Sequence, residues 1–116
     1  MAAKTQGEIP TQAEFAHALR GIPVPQGRQL DFLREHAQAY QRRLSARQLA
    51  ESVGYKGYRG INLQYGLLAR RIGEALDRND AHLGLLVKFD QKDSGAEWRL
   101  KMRSEFAKAL KQAGWI

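Results

Sequence analysis

Between Arg42 and Arg71 the chain carries seven basic side chains, Arg42, Arg43, Arg47, Lys56, Arg59, Arg70 and Arg71, against a single acid, Glu51. Cations this dense can neutralise phosphates. Each phosphate neutralised releases a condensed counterion, which drives association with a polyanion. Tyr58, Asn62 and Gln64 are interleaved with them. Arginine suits the guanine edge, asparagine and glutamine suit adenine, and tyrosine can stack on a base or hydrogen-bond a phosphate. A second basic group comes after a turn that holds Lys92: Arg99, Lys101, Arg103, Lys108 and Lys111, against Glu105. For any one arginine a solvated helix face is the plainer explanation. It is the clustering, in a chain of net charge +7 and pI near 10.1, that favours an anionic partner.

Little else in the chain could do chemistry. His17, His36 and His82 fall in three different elements with no carboxylate at metal-ligand spacing, so each reads as structural. The absence of cysteine removes disulfides, thiolate metal sites and a cysteine nucleophile. No phosphate-binding glycine loop, HExxH or GxSxG occurs. An enzyme is not expected, nor a cofactor or a bound metal. Met1 to Ile9 lacks the apolar core of a signal peptide, and no apolar run approaches the roughly 18 residues of a membrane span. A soluble cytoplasmic protein is therefore the expectation.

The elements that must position the basic residues emerge from periodicity and capping. Residues 1–10 read as a flexible tail and 11–116 as a single domain. Thr11 with Glu14 is a capping-box pattern opening a short helix that stops at Gly21. A proline-punctuated connector, Ile22 to Gly27, leads to a helix from about Arg28 to Arg43, with Leu30, Leu33, Ala37 and Tyr40 on one face. Ser45 with Gln48 is a second capping box, opening a short helix that ends at Gly54. After the turn Tyr55 to Gly60, the residues Ile61, Tyr65, Leu68, Ile72 and Leu76 recur at helical spacing and form a buried seam. Gly66 and Gly73 fall on the outward side of that helix. Two glycines there point to close approach by another backbone, because each costs about 1 kcal/mol against alanine.

Leu83 to Phe89 and Ala96 to Met102 flank a Gly-containing turn and read as a β-hairpin, with Trp98, Leu100 and Met102 on its docking face. Ser104 is read as the cap of a last helix, Glu105 to Ala113, and Trp115-Ile116 as folding back on the core. The order is mainly α with a β-hairpin: a winged helix-turn-helix-like α+β domain. The helix-turn-helix occupies about 45–77 and the wing about 83–102.

The runs Leu44-Ser45-Ala46-Arg47-Gln48-Leu49-Ala50-Glu51-Ser52-Val53-Gly54-Tyr55-Lys56-Gly57-Tyr58 and Asn62-Leu63-Gln64-Tyr65-Gly66-Leu67-Leu68-Ala69 carry a resemblance. So do Trp98-Arg99-Leu100-Lys101-Met102-Arg103, Leu110 and Gly114-Trp115. They are similar to an uncharacterised bacterial region often encoded beside HNH-type nuclease domains in restriction-like proteins. The likeness extends over roughly residues 14–116. It implies a role in recognising DNA, foreign or modified DNA included. The compact histidine and metal-ligand motif of an HNH nuclease is not in this sequence, so the resemblance supports binding and not cleavage.

The expectation is a module for double-stranded DNA, the recognition part of a restriction or defence system or a transcriptional regulator. Tyr58, Arg59, Asn62 and Gln64 would enter the major groove. Arg42, Arg43, Arg47, Lys56, Arg70 and Arg71 would clamp phosphates, and Lys92, Arg99 and Lys101 would touch the neighbouring backbone. A protein-interaction module, with a nuclease subunit as one partner, is the alternative, favoured by Leu63, Gly66 and Leu67. RNA binding is the lesser one. A membrane partner is not expected, and the sequence leaves the oligomeric state open.

Overall fold

The computed structural model describes residues 8–90 and 99–116. Helix α1, Gln12–Arg20, begins with the expected reciprocal cap: Glu14 N–H donates to Thr11 Oγ1 and Thr11 N–H to Glu14 Oε1. Helix α2 spans Arg28–Gln38. It stops well short of Arg43, because Ala39 turns extended and Gln41 and Arg42 take positive φ, 54° and 55°. Left-handed backbone costs a non-glycine residue on the order of 1–2 kcal/mol, and here it redirects the chain into a strand. Tyr40, expected on the buried face, is 85% exposed. Phe32, Leu33 and His36 make the core face of α2 instead.

The redirected chain forms β1, Arg43–Ser45, a strand not expected from the sequence. Helix α3, Ala46–Val53, begins at once. Its Ser45–Gln48 capping box is complete, with Gln48 N–H donating to Ser45 Oγ and Ser45 N–H to Gln48 Oε1. Gly54 closes α3 in the left-handed region, φ 80°, and Tyr55 N–H donates back to Ala50 O at 2.9 Å, a Schellman-type stop. Helix α4, Tyr58–Ala75, starts three residues before the expected seam and buries Ile61, Tyr65, Leu68 and Ile72.

The stretch expected to be the first hairpin strand divides in two. Leu83–Leu85 is a 3-10 turn, with the His82 ring accepting from Gly84 N–H, and β2 is Val87–Asp90. Strand β3 is Arg99–Met102 and helix α5 is Ser104–Gln112. Ser104 is thus the first residue of α5 and not its cap; Arg103 holds that position. The hairpin tip, with Lys92 and Trp98, lies outside the described residues, as does the tail before Glu8. Residues 8–10 are not part of a loose tail: Pro10 is buried, Ile9 packs on the core, and Glu8 O accepts from Arg78.

Among the described residues the sheet is three-stranded and antiparallel in the order β1-β3-β2. A bare hairpin is marginal in water; here β1 covers the free edge of β3. Leu100 and Met102 face inward as expected, joined by Val87. With α2, α3 and α4 against that inner face and α1 packed on α5 through Phe15 and Phe106, the architecture is mainly α with a small sheet, winged-helix-like. Trp115 folds back into the core, as expected.

One polar link ties three elements together. His36 is fully buried, with Nε2 at 2.7 Å from Leu100 O and Nδ1 at 2.6 Å from the Tyr65 hydroxyl. A carbonyl can only accept, so Nε2 carries a proton. At neutral pH Tyr65 donates to Nδ1 and the ring is uncharged. Burial holds its pKa down to about 4, against the opposing pull of the Leu100 carbonyl. Burial likewise pushes the Tyr65 hydroxyl upward. This chain of bonds fixes β3 relative to α2 and α4, and with it the position of the sheet beside the start of α4.

Candidate nucleic-acid interface

The turn from α3 to α4 presents the first residues of α4 to solvent. The Tyr55 ring packs against the core and lies under the Arg28 guanidinium, 5.7 Å from ring centroid to Cζ, a cation–π contact. Tyr55 thus serves to pack the turn. Lys56, Tyr58 and Arg59 point outward around a shallow depression of about 470 Å³ formed by residues 55–60. Helix α4 begins at Gly57, which offers no side-chain cap, and its first turn holds no acid. The first N–H groups of a helix need acceptors and its N-terminal end is electropositive. Lys56 and Arg59 add positive charge to that end.

Beside it is a cleft of about 690 Å³, lined by Ser45, Ala46 and Arg47 at the start of α3, Tyr58 and Asn62 at the start of α4, and Phe89 and Leu100 from the inner face of the sheet. Tyr58 and Phe89 are 52% and 55% exposed, so two aromatic rings stand open to water beside an amide and a guanidinium. Phe89 was not among the expected site residues. Strand alternation places it on the same face as Val87, one step beyond the edge of the core, and that signal is present in the sequence.

Down the outward side of α4 run Arg59, Leu63, Gly66 and Arg70, at i, i+4, i+7 and i+11, a single helical stripe. Leu63 is 60% exposed, and a Cβ built on Gly66 would meet nothing within 4 Å. Gly73 does not share this side. It is buried, and a Cβ there would sit 2.4 Å from that of Ala81. The close backbone expected at Gly73 is the chain's own.

The remaining expected residues divide. Gln64 is not in the cleft: its Oε1 accepts from Gln29 Nε2 of α2, at 2.5 Å. With Arg71 it borders a small hollow against Ile22, Pro23 and Pro25. Arg42, Arg43, Arg99 and Lys101 belong to the sheet and its approach, not to the helix-turn-helix. Arg47, Lys56, Tyr58, Arg59, Asn62 and Arg70 are the expected residues that share the α3–α4 surface. Arg78, which no sequence pattern singles out, is buried and engaged with both Asp80 oxygens at 3.0 Å and with Glu8 O. It is a structural pin between α4 and the chain before α1.

Among the described residues no cluster of three or more histidines, aspartates and glutamates is arranged to hold a metal, and no helix is long and apolar enough to cross a membrane. Neither a protein-family model, nor a curated protein, nor a solved structure matches this chain.

Proposed function

We propose that the chain binds double-stranded DNA through the start of α4 and the cleft beside it. One observation carries this reading. The first turn of α4 stands uncapped by any side chain of its N-cap residue, is free of acids, and brings Tyr58, Arg59 and Asn62 together with Arg47 and Lys56. Backbone N–H groups at a helix N-terminus bind phosphate, and the first residues of a recognition helix are those that reach base edges. Asn62 offers a paired donor and acceptor for adenine, and Arg59 a fork for guanine. Arg70, three turns along the same stripe, would hold the backbone. The likeness to a region found beside nuclease domains supports the same reading and adds foreign or modified DNA to the targets worth testing.

The decisive test is a titration against random-sequence duplex DNA at several salt concentrations, with Arg59→Ala/Arg70→Ala alongside. The expected result is binding that falls steeply with salt and weakens in the variant, its slope shallower by about 1 because Arg70 is the phosphate contact and each such contact contributes roughly 0.9. Absence of binding at low salt overturns the reading. A protein-interaction role has one observation in its favour: Leu63 and Leu67 are exposed on the outward side of α4. Leucines there would suit a thymine methyl or an apolar partner surface equally. A partner captured from lysate that survives nuclease treatment and is lost in Leu63→Asp would favour that second reading.

A further inference from the structure

The outer face of the sheet carries charge that works against its own fold. Strand register places Arg43 and Lys88 on either side of Lys101, so three cations stand abreast across β1, β3 and β2. Like charges directly opposed across strands destabilise a sheet. Arg99, two residues before Lys101, shares that face by alternation. Where β3 runs into α5, Arg42, Lys88, Lys101 and Arg103 surround a depression of about 190 Å³ with Ser104 and Glu105. That is room for about six waters, and so for a phosphate group with part of its hydration. Four cations face one carboxylate there.

The side chains are held in ways that leave donors over. Arg42, in its left-handed conformation, places Nε on Met102 O at 3.0 Å, and among the described residues its two terminal nitrogens have no hydrogen-bond acceptor. Arg103 places Nε and Nη2 on Gly84 O at 3.1 and 3.0 Å, and its Nη1 has no hydrogen-bond acceptor among the described residues. Lys88 and Lys101 have no ion-pair or hydrogen-bond partner among the described residues. This is also a different surface from the cleft. Leu100 and Phe89 line the cleft from the inner face, whereas Lys101 and Lys88, their neighbours in sequence, line the depression from the outer one.

We propose that the outer face of the sheet is a second phosphate-binding surface, formed by Arg42, Lys88, Lys101 and Arg103, that grips the backbone of duplex DNA independently of α4. The inference rests on the DNA-binding reading above. Lys88 and Lys101 stand about 5 Å apart on neighbouring strands, with Arg42 and Arg103 at the ends of the flanking elements, and cations spread in this way suit an extended polyanion better than a single small anion. The surface is assigned to the phosphate backbone, whose contacts fix position and orientation and carry no sequence information directly.

The test compares Lys88→Gln/Lys101→Gln with Arg59→Ala/Arg70→Ala and wild type on the same random duplex across a salt series, with a melting curve for each protein without DNA. The lysine variant is expected to bind about tenfold more weakly at low salt, with a salt slope shallower by about 2, and to melt no lower than wild type. Lys88→Arg/Lys101→Arg should retain affinity and slope. If wild type binds and the Arg59/Arg70 variant weakens while the lysine variant keeps full affinity and slope, this proposal fails and the α4 reading stands. If the lysine variant weakens and the Arg59/Arg70 variant does not, the sheet stands and α4 falls. No binding by wild type removes both. A lower melting temperature in the lysine variant would assign these residues to the fold and overturn the proposal.

Discussion

The inward and outward sides of α4 use similar residues to opposite ends. Inward, Tyr65 donates to His36 and Gly73 lets Ala81 come close; each is committed to a neighbour. Outward, Gly66 and the bare N-cap Gly57 face open space, with no atom within 4 Å of a Cβ at either. A glycine that makes room for its own chain cannot be exchanged without loss. One that leaves backbone open toward solvent lowers helix stability for no gain inside the molecule. The contrast locates on one helix a side that holds the fold together and a side that is kept available.

Four measurements test whether the two sides of α4 differ in this way. The largest effect belongs to His36. Its pKa is about 4 in the fold and 6.5 in the unfolded chain, so between those values the unfolded state holds the extra proton. Stability is fully present above about pH 6.5 and declines as pH falls toward 4, by about 3 kcal/mol in all. Urea unfolding at pH 7.5, 5.5 and 4.5 should show this loss in wild type and a correspondingly smaller one in His36→Gln. Equal pH dependence in the two would mean the histidine is not held neutral. Next is Gly73→Ala, where overpacking against Ala81 outweighs the gain in helix propensity; a net loss of about 2 kcal/mol is expected from denaturant titration. An unchanged midpoint would place Gly73 on the available side after all.

Gly57→Asp should separate the two properties outright. The backbone there is extended, φ −168°, and accepts any residue. A carboxylate at the N-cap stabilises the helix by about 0.5 kcal/mol but occupies the site where a phosphate would be held. Melting temperature should rise slightly while duplex affinity falls about tenfold. A rise in both would show that α4 meets no phosphate. The smallest effect is Gly66→Ala, which should stabilise the DNA-free protein by up to about 1 kcal/mol. If stability drops, something in the chain already covers that side.

What could be read in the sequence was local. Both capping boxes, the Gly54 stop and the α4 seam from Ile61 to Ile72 arise from residues within four or five positions of one another, and they stand as expected; Leu76, expected to continue the seam, is the C-cap of α4 and only partly buried. What escaped depends on distant partners. Arg43–Ser45 is too short to announce itself as a strand and becomes one only because residues 99–101 pair with it. The end of α2 was hidden for the same reason: apolar spacing continues to Tyr40, but the pull of the sheet turns the chain first. Gly73 and Gly66 are indistinguishable until Ala81 is placed. In the site, Arg47, Lys56, Tyr58, Arg59, Asn62 and Arg70 were legible as one surface. Gln64 was not, because its bond to Gln29 depends on how α2 crosses α4, and Lys88 entered only through strand register.

The order β1-β3-β2 has a consequence for how the molecule comes to exist. The central strand is the last of the three to be synthesised, and it is the one both others need. Until residues 99–102 emerge from the ribosome, β1 and β2 have no partner in this sheet and His36 has no Leu100 carbonyl; α1 waits longer still for Phe106. Helices α2, α3 and α4 can form early, since their contacts are short in sequence, but they cannot be locked. Completion is a late, non-local step of the kind that slows folding, and a nascent chain stalled before Arg99 would hold its basic surface on an unclosed and aggregation-prone scaffold.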